Sequence, residues 1–147
     1  MRRFKFRFEK ILTYRGHQEK QRQRELASAL NVQQSQQEKV SGLVRGQMVA
    51  QKEKEKHLVG KIETARLSGY YRYGLRLKHL EMAGRELLGH IAKDVEKKRQ
   101  TLVEAARKKK TYEKLKERHL RQYTEDSNLA LQKENDEIGQ KMFVINR

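Results

Sequence analysis

The sequence predicts an all-α protein, a long antiparallel two-helix coiled-coil hairpin, and three observations predict it. The 147 residues contain no proline, where average usage would supply about 5%. Charged residues, at 37%, outnumber hydrophobic ones, at 35%, which leaves too little apolar surface for a broad core but enough for a narrow seam. Such a seam needs only two apolar positions per heptad. The third observation is that apolar residues recur in 3-4 alternation along two separate stretches, the spacing of one helical face.

The first series runs Phe8, Leu12, Leu26, Ala29, Val40, Leu43, Met48, Leu58, Ile62 and Ala65, with a frame shift near Val44. It predicts helix one over about residues 3 to 67. Glu19, Arg22, Gln33 and Gln36 fall on the same seam, which is therefore expected to hold loosely. The second series is more regular. Leu88, Val95, Leu102, Tyr123 and Ala130 occupy one heptad position, and Ile91, Ala105, Tyr112 and His119 the other, predicting helix two over about residues 71 to 142.

Between them, Ser68-Gly69 is the turn-like dipeptide near the middle, and the reversal is expected at about residues 68 to 70. Paired positions would then sum to about 138 and set Leu58 against Leu80, Met48 against His90 and Ile91, Leu26 against Tyr112, and Phe8 against Ala130. Each arm would extend roughly 100 Å at 1.5 Å per residue, making residues 1–147 one elongated coiled-coil domain with both termini at its open end.

Chemistry is sparse. No Gly-Lys-Ser/Thr phosphate loop is present, so ATP hydrolysis is not expected to be intrinsic. His17, His57, His79, His90 and His119 are scattered without metal-ligand spacing, and there is no cysteine; neither a metal site, a cofactor nor a catalytic residue is expected. Most carboxylates lie beside Lys or Arg, as in Lys52-Glu53-Lys54-Glu55-Lys56, the pattern of a solvated helix face.

The formal charge of +16 attracts acidic partners of any class. Arg99, Arg107, Lys108, Lys109, Lys110, Lys114, Lys116, Arg118 and Arg121 could track a phosphate backbone, which leaves a basic nucleic-acid- or ribosome-associated coiled coil as the alternative function. Against specific nucleic-acid binding, Tyr112 and Tyr123 fall on the seam, where stacking on bases would be blocked. The longest apolar run, Met142 to Ile145, is too short to span a bilayer, and a cytoplasmic location is expected. The aromatic start, Phe4 to Arg15, is the most distinctive local feature: it could lie on anionic lipid as a basic amphipathic segment, pack Phe8, Ile11 and Leu12 against helix two, or enter a protein pocket. Because Phe4, Phe8 and Leu12 would share a helical face and Phe6 would not, at least one ring is left for a partner.

Phe6-x-Phe8-x-x-Ile11-Leu12-x-x-Arg15, then Tyr70-Tyr71-Arg72-Tyr73 followed by Leu77-x-x-Leu80, then Lys110-x-x-Glu113-Lys114-Leu115-Lys116-Glu117 leading to Asn135-Asp136-Glu137-Ile138-Gly139, resembles in order and spacing the flagellar export protein FliJ family over nearly the whole chain. The resemblance implies a non-enzymatic hairpin similar to the central stalk of rotary ATPases. Its implied partners are the ring of the flagellar type III export ATPase, the cytoplasmic domain of the export gate protein, and export chaperones, with peripheral association at the inner face of the cell membrane. It further implies that Phe4, Phe6, Phe8, Ile11, Leu12 and Arg15 contact the ATPase ring, and that Tyr73, Leu77, Leu80 and Ala83 form the stripe that meets the gate. An aromatic that the family can carry in that stripe falls near Arg76 here. The stalk of a virulence type III secretion system would carry the same physical signature.

Overall fold

A computed structural model describes residues 3–145. Two helices, α1 (Glu9–Lys56) and α2 (Thr64–Ile145), account for nearly all of it, and they pack antiparallel as a helical hairpin. Helix is what a proline-free chain rich in Glu, Lys, Leu, Arg and Gln favours. Glu9 places a carboxylate in the first turn of α1, and Lys54 and Lys56 place ammonium groups in its last, both complementary to the helix dipole.

The reversal occupies residues 57–63. Leu58 N–H donates to the Glu55 carbonyl at 3.1 Å, tightening the last turn, and Gly60 then adopts φ 90°, a left-handed backbone that a side chain would strain. The expected reversal at Ser68-Gly69 is corrected: both residues lie inside α2. Leu58, Ile62 and Ala65 had extended the apparent seam of helix one to residue 67, but all three are exposed. The seam actually continues from Leu43 through Gln47, Ala50, Lys54 and His57, without a frame shift near Val44, and three of those five residues carry polar groups that hide the heptad.

Packing divides the chain into two compact units, Arg22–Leu102 and a second made of Met1–Gln21 with Val103–Arg147. In the unit Arg22–Leu102 the buried residues are small or aliphatic: Ala29, Val40, Ala50, Leu77 and Val95. Gly84 lies so close to α1 that a Cβ there would meet Val40 Cγ2 at 3.0 Å. Gln36 Nε2 donates to the Gly84 carbonyl at 3.2 Å, and Gln47 Nε2 to Glu81 Oε2 at 2.7 Å, so the polar seam residues hydrogen-bond across the interface.

In the other unit, aromatic rings do the packing. Residues 4–6 lie outside any regular element and residues 7–8 form a turn into α1, so helix one does not begin near residue 3. Phe4 meets Tyr123 with ring centroids 5.5 Å apart, Phe6 meets His119 at 5.8 Å, and Phe8 meets Tyr112 at 6.3 Å. Two ion pairs bridge the helices, Lys109 to Glu19 and Lys116 to Glu9, each at 2.8 Å.

These contacts correct the register. Glu19 pairs with Lys109 and Gln47 with Glu81, pairs that each sum to 128, while Phe8 lies against Tyr112 instead of Ala130. The shift follows from moving the reversal toward the N-terminus. Every seam residue named on α2 up to Tyr123 is nevertheless half-buried or buried, whereas Ala130 is exposed.

Candidate protein-binding surfaces

Two surfaces follow from the residues singled out in the sequence. The first surrounds the aromatic segment of residues 4–8. Phe6, which helical spacing had set apart from the other rings, is 8% exposed and the most enclosed of the three. The segment is not helical, so the helical-face argument does not apply to it. Phe6 packs edge-on against both Phe8, at 5.8 Å, and His119, while Phe4 and Phe8 remain half-buried. The Arg7 guanidinium stands 5.8 Å from the Phe8 ring.

Ile11 is 38% exposed and Leu12 half-buried. Arg15 donates from Nη1 to Gln18 Oε1 at 2.9 Å and covers the Tyr14 ring at 5.8 Å, but its Nε is buried without a hydrogen-bond partner. Residues 128–142 of α2 are exposed along their whole length, including Ile138 at 53% and Met142 at 64%. Thus this unit offers Ile11 and the bare end of α2 to a partner, and holds the Phe rings largely for itself.

The ionic contacts here are electrostatically coupled. The Lys109 ammonium is held above its ordinary value by its hydrogen bond to Glu19, then by the charge of Glu19 and by Glu113 at 3.4 Å. Glu19 reads in the sequence as a polar interruption of the seam and Lys109 as part of a basic stretch; their pairing was hidden by the register.

The second surface lies in the unit Arg22–Leu102. The four residues Tyr73, Leu77, Leu80 and Ala83 do not form one exposed stripe: Leu77 is 8% exposed and packs toward Gly46, whereas Tyr73 and Leu80 are about half exposed and Ala83 is exposed. Tyr73, Arg76, Leu80 and Ala83 follow 3-4-3 spacing along the outer face of α2, and Leu77 belongs to the adjoining seam. Nearby, an open groove of about 560 Å³ runs past Met48, Ala50, Tyr70, Tyr71, Gly74 and Leu75, a feature with no separate signature in the sequence because it arises where Gly74 leaves space beside the seam. His57 closes this end of the hairpin by stacking on Tyr70 at 5.3 Å.

Among the described residues, no three His, Cys, Asp or Glu side chains gather as metal ligands, and no helix is long and apolar enough to cross a membrane. The model of the family described as flagellar FliJ protein matches residues 4–147. The chain belongs to the FliJ family. No curated relative and no solved structure matches it. Family membership makes it a component of flagellar protein export, and the FliJ match embraces the aromatic segment, both helices and the exposed end of α2 alike.

Proposed function

We propose that this FliJ-family protein is the non-enzymatic stalk of the flagellar type III export ATPase, and that it acts as one coiled-coil domain on the cytoplasmic face of the membrane at the flagellar base. The observation that carries the reading is the unit containing both the aromatic start and the C-terminal half of α2, where Ile11, Ile138 and Met142 are exposed while Phe6 is buried and Phe4 and Phe8 are half-buried. In this reading Phe4, Phe6, Phe8 and Leu12 form the scaffold that presents Ile11, Arg15 and the bare end of α2 to the centre of the ATPase ring. Excess positive charge supplies attraction to acidic ring loops. Binding at the centre favours the assembled ring and so raises its turnover.

The exposed Tyr73, Leu80 and Ala83 are proposed to meet the cytoplasmic domain of the export gate protein, with Leu77 supporting them from the seam. Export chaperones are the third class of partner. The test is ATP turnover by the purified export ATPase with and without this chain, at a salt concentration that permits complex formation. Several-fold stimulation is expected, weakened by Ile11→Asp combined with Ile138→Asp at unchanged helix content. Absence of stimulation under binding conditions would remove the stalk reading.

A further inference from the structure

The loop that reverses the chain carries an arrangement the stalk reading does not use. Val59 is 83% exposed, Ile62 54% and Leu58 49%, three large aliphatic side chains within the seven residues 57–63. A loop that only had to turn would be served by polar residues and Gly60, whose φ of 90° already makes the bend. Moving away from the apex, the side-chain types change in a definite order. Lys61 and Lys56 flank the aliphatic tip, Arg66 and Arg72 follow on α2, and Tyr71 and Tyr73, 61% and 52% exposed, stand at the same level.

Charge at this end is one-sided. Residues 52–72 contain six Lys and Arg against three Glu, and the carboxylates are already engaged: Glu53 with Lys56 at 2.6 Å, Glu63 with Arg66 at 2.9 Å, and Glu55 with Gln51 at 2.9 Å. An exposed aliphatic tip with cations and exposed tyrosines around it matches the boundary between the hydrocarbon of a bilayer and its anionic headgroups. A protein pocket would not require cations around the tip, and nucleic acid would not require three aliphatic side chains at its apex.

We propose that residues 57–63 form a lipid-insertion tip, with Leu58, Val59 and Ile62 entering the interface of an anionic membrane and Lys56, Lys61, Arg66 and Arg72 contacting its headgroups. The contact is peripheral, since three side chains bury far less than a spanning helix does. It is independent of the ATPase reading, because the tip lies in the unit Arg22–Leu102 and the proposed ring contacts in the other.

The chain has no cysteine, so a single Val59→Cys labelled with an environment-sensitive dye reports the tip of the full-length protein, and Ser41→Cys, on an exposed position of α1, serves as control. With vesicles of phosphatidylcholine containing about 30 mol% phosphatidylglycerol, the label at 59 shifts to shorter wavelength and the label at 41 does not; pure phosphatidylcholine gives little response. The triple variant Leu58→Ser, Val59→Ser, Ile62→Ser lowers vesicle partitioning by about tenfold at unchanged helix content. Two results would overturn the proposal: equal partitioning of the triple variant, which would assign binding to the diffuse +16 charge, or a label at 59 that stays in water while the protein is vesicle-bound. Loss of export-gate binding in the triple variant with vesicle binding intact would assign the tip to a protein and likewise reject the lipid.

Discussion

The two packing units solve the same problem with opposite materials. In Arg22–Leu102 the helices approach closely enough that Gly84 and Gly46 face Val40 and Leu77, and small buried residues leave little tolerance for error in register. In the unit of Met1–Gln21 and Val103–Arg147, three phenylalanines on a non-helical segment and its junction with α1 reach across to Tyr112, His119 and Tyr123. A large ring carried by a non-helical segment can find its site without obeying a heptad. Register is therefore set by small residues in one unit, and in the other the contacts are made by large ones.

The comparison breaks first at Phe6. Phe6→Ala removes a ring that is almost wholly buried, a change that costs about 3 kcal/mol in other cores. Because the segment has few other anchors, the loss should appear as faster hydrogen exchange and protease cleavage at residues 4–8, together with weaker protection of the first turns of α1. A change below about 1 kcal/mol in the corresponding opening free energy would mean that the ring contacts do not hold the segment.

Next in size is Leu77→Ala, expected to cost about 2 kcal/mol, measured by urea unfolding followed through helix content. Leu80→Ala, on the exposed neighbouring face, should stay within about 0.5 kcal/mol. Any gate binding lost in Leu80→Ala would then be a surface effect, while loss in Leu77→Ala would track stability.

How much of this was legible in the sequence differs between the same two units. The α2 seam was readable from Leu88 to Tyr123 because Leu88, Val95, Leu102 and Tyr123 fall on one heptad position and Ile91, Ala105, Tyr112 and His119 on the other, and each of these is at least half-buried. Fold class followed from that series and the missing proline. The reversal was not readable, since Gln47, Lys54 and His57 occupy the true seam near the end of α1 while exposed Leu58, Ile62 and Ala65 imitate it. Periodicity cannot distinguish a buried aliphatic residue from one left in a loop. Nor could spacing foresee that residues 4–6 would lie outside the helix, and this is why helical spacing set Phe6 apart as the free ring.

Glycine separates close packing from open helix surface. Gly84→Leu forces a side chain into Val40 and Gln36, which lie 3.0 and 3.3 Å from the ideal Cβ position, and should cost about 2 kcal/mol. Gly89→Ala, five residues along the same helix with nothing within 4 Å, should instead gain up to about 1 kcal/mol from helix propensity. If both variants moved the thermal midpoint the same way, close approach at Gly84 would not be what sets the register.

The smallest expected effects concern pH, and they fall on opposite limbs in the two units. Glu81 is held below the ordinary carboxylate value of 4.5, first by the hydrogen bond from Gln47 and then by Arg85. A depressed carboxyl contributes its stabilisation fully above the unfolded value and loses it as pH falls through the folded one, so its contribution to Arg22–Leu102 fades in acid below 4.5. Lys109 is raised above 10.5, first by its hydrogen bond to Glu19; a raised ammonium contributes fully below that value and loses its contribution as pH climbs through the folded one. Glu81→Gln should therefore flatten the acid limb of a melting-temperature profile and leave the alkaline limb alone, and Lys109→Met should do the reverse. Both differences should shrink in high salt, because neither pair is sealed from solvent. An acid limb unchanged by Glu81→Gln would show that the hydrogen bond across the polar seam adds nothing to the hold of one helix on the other.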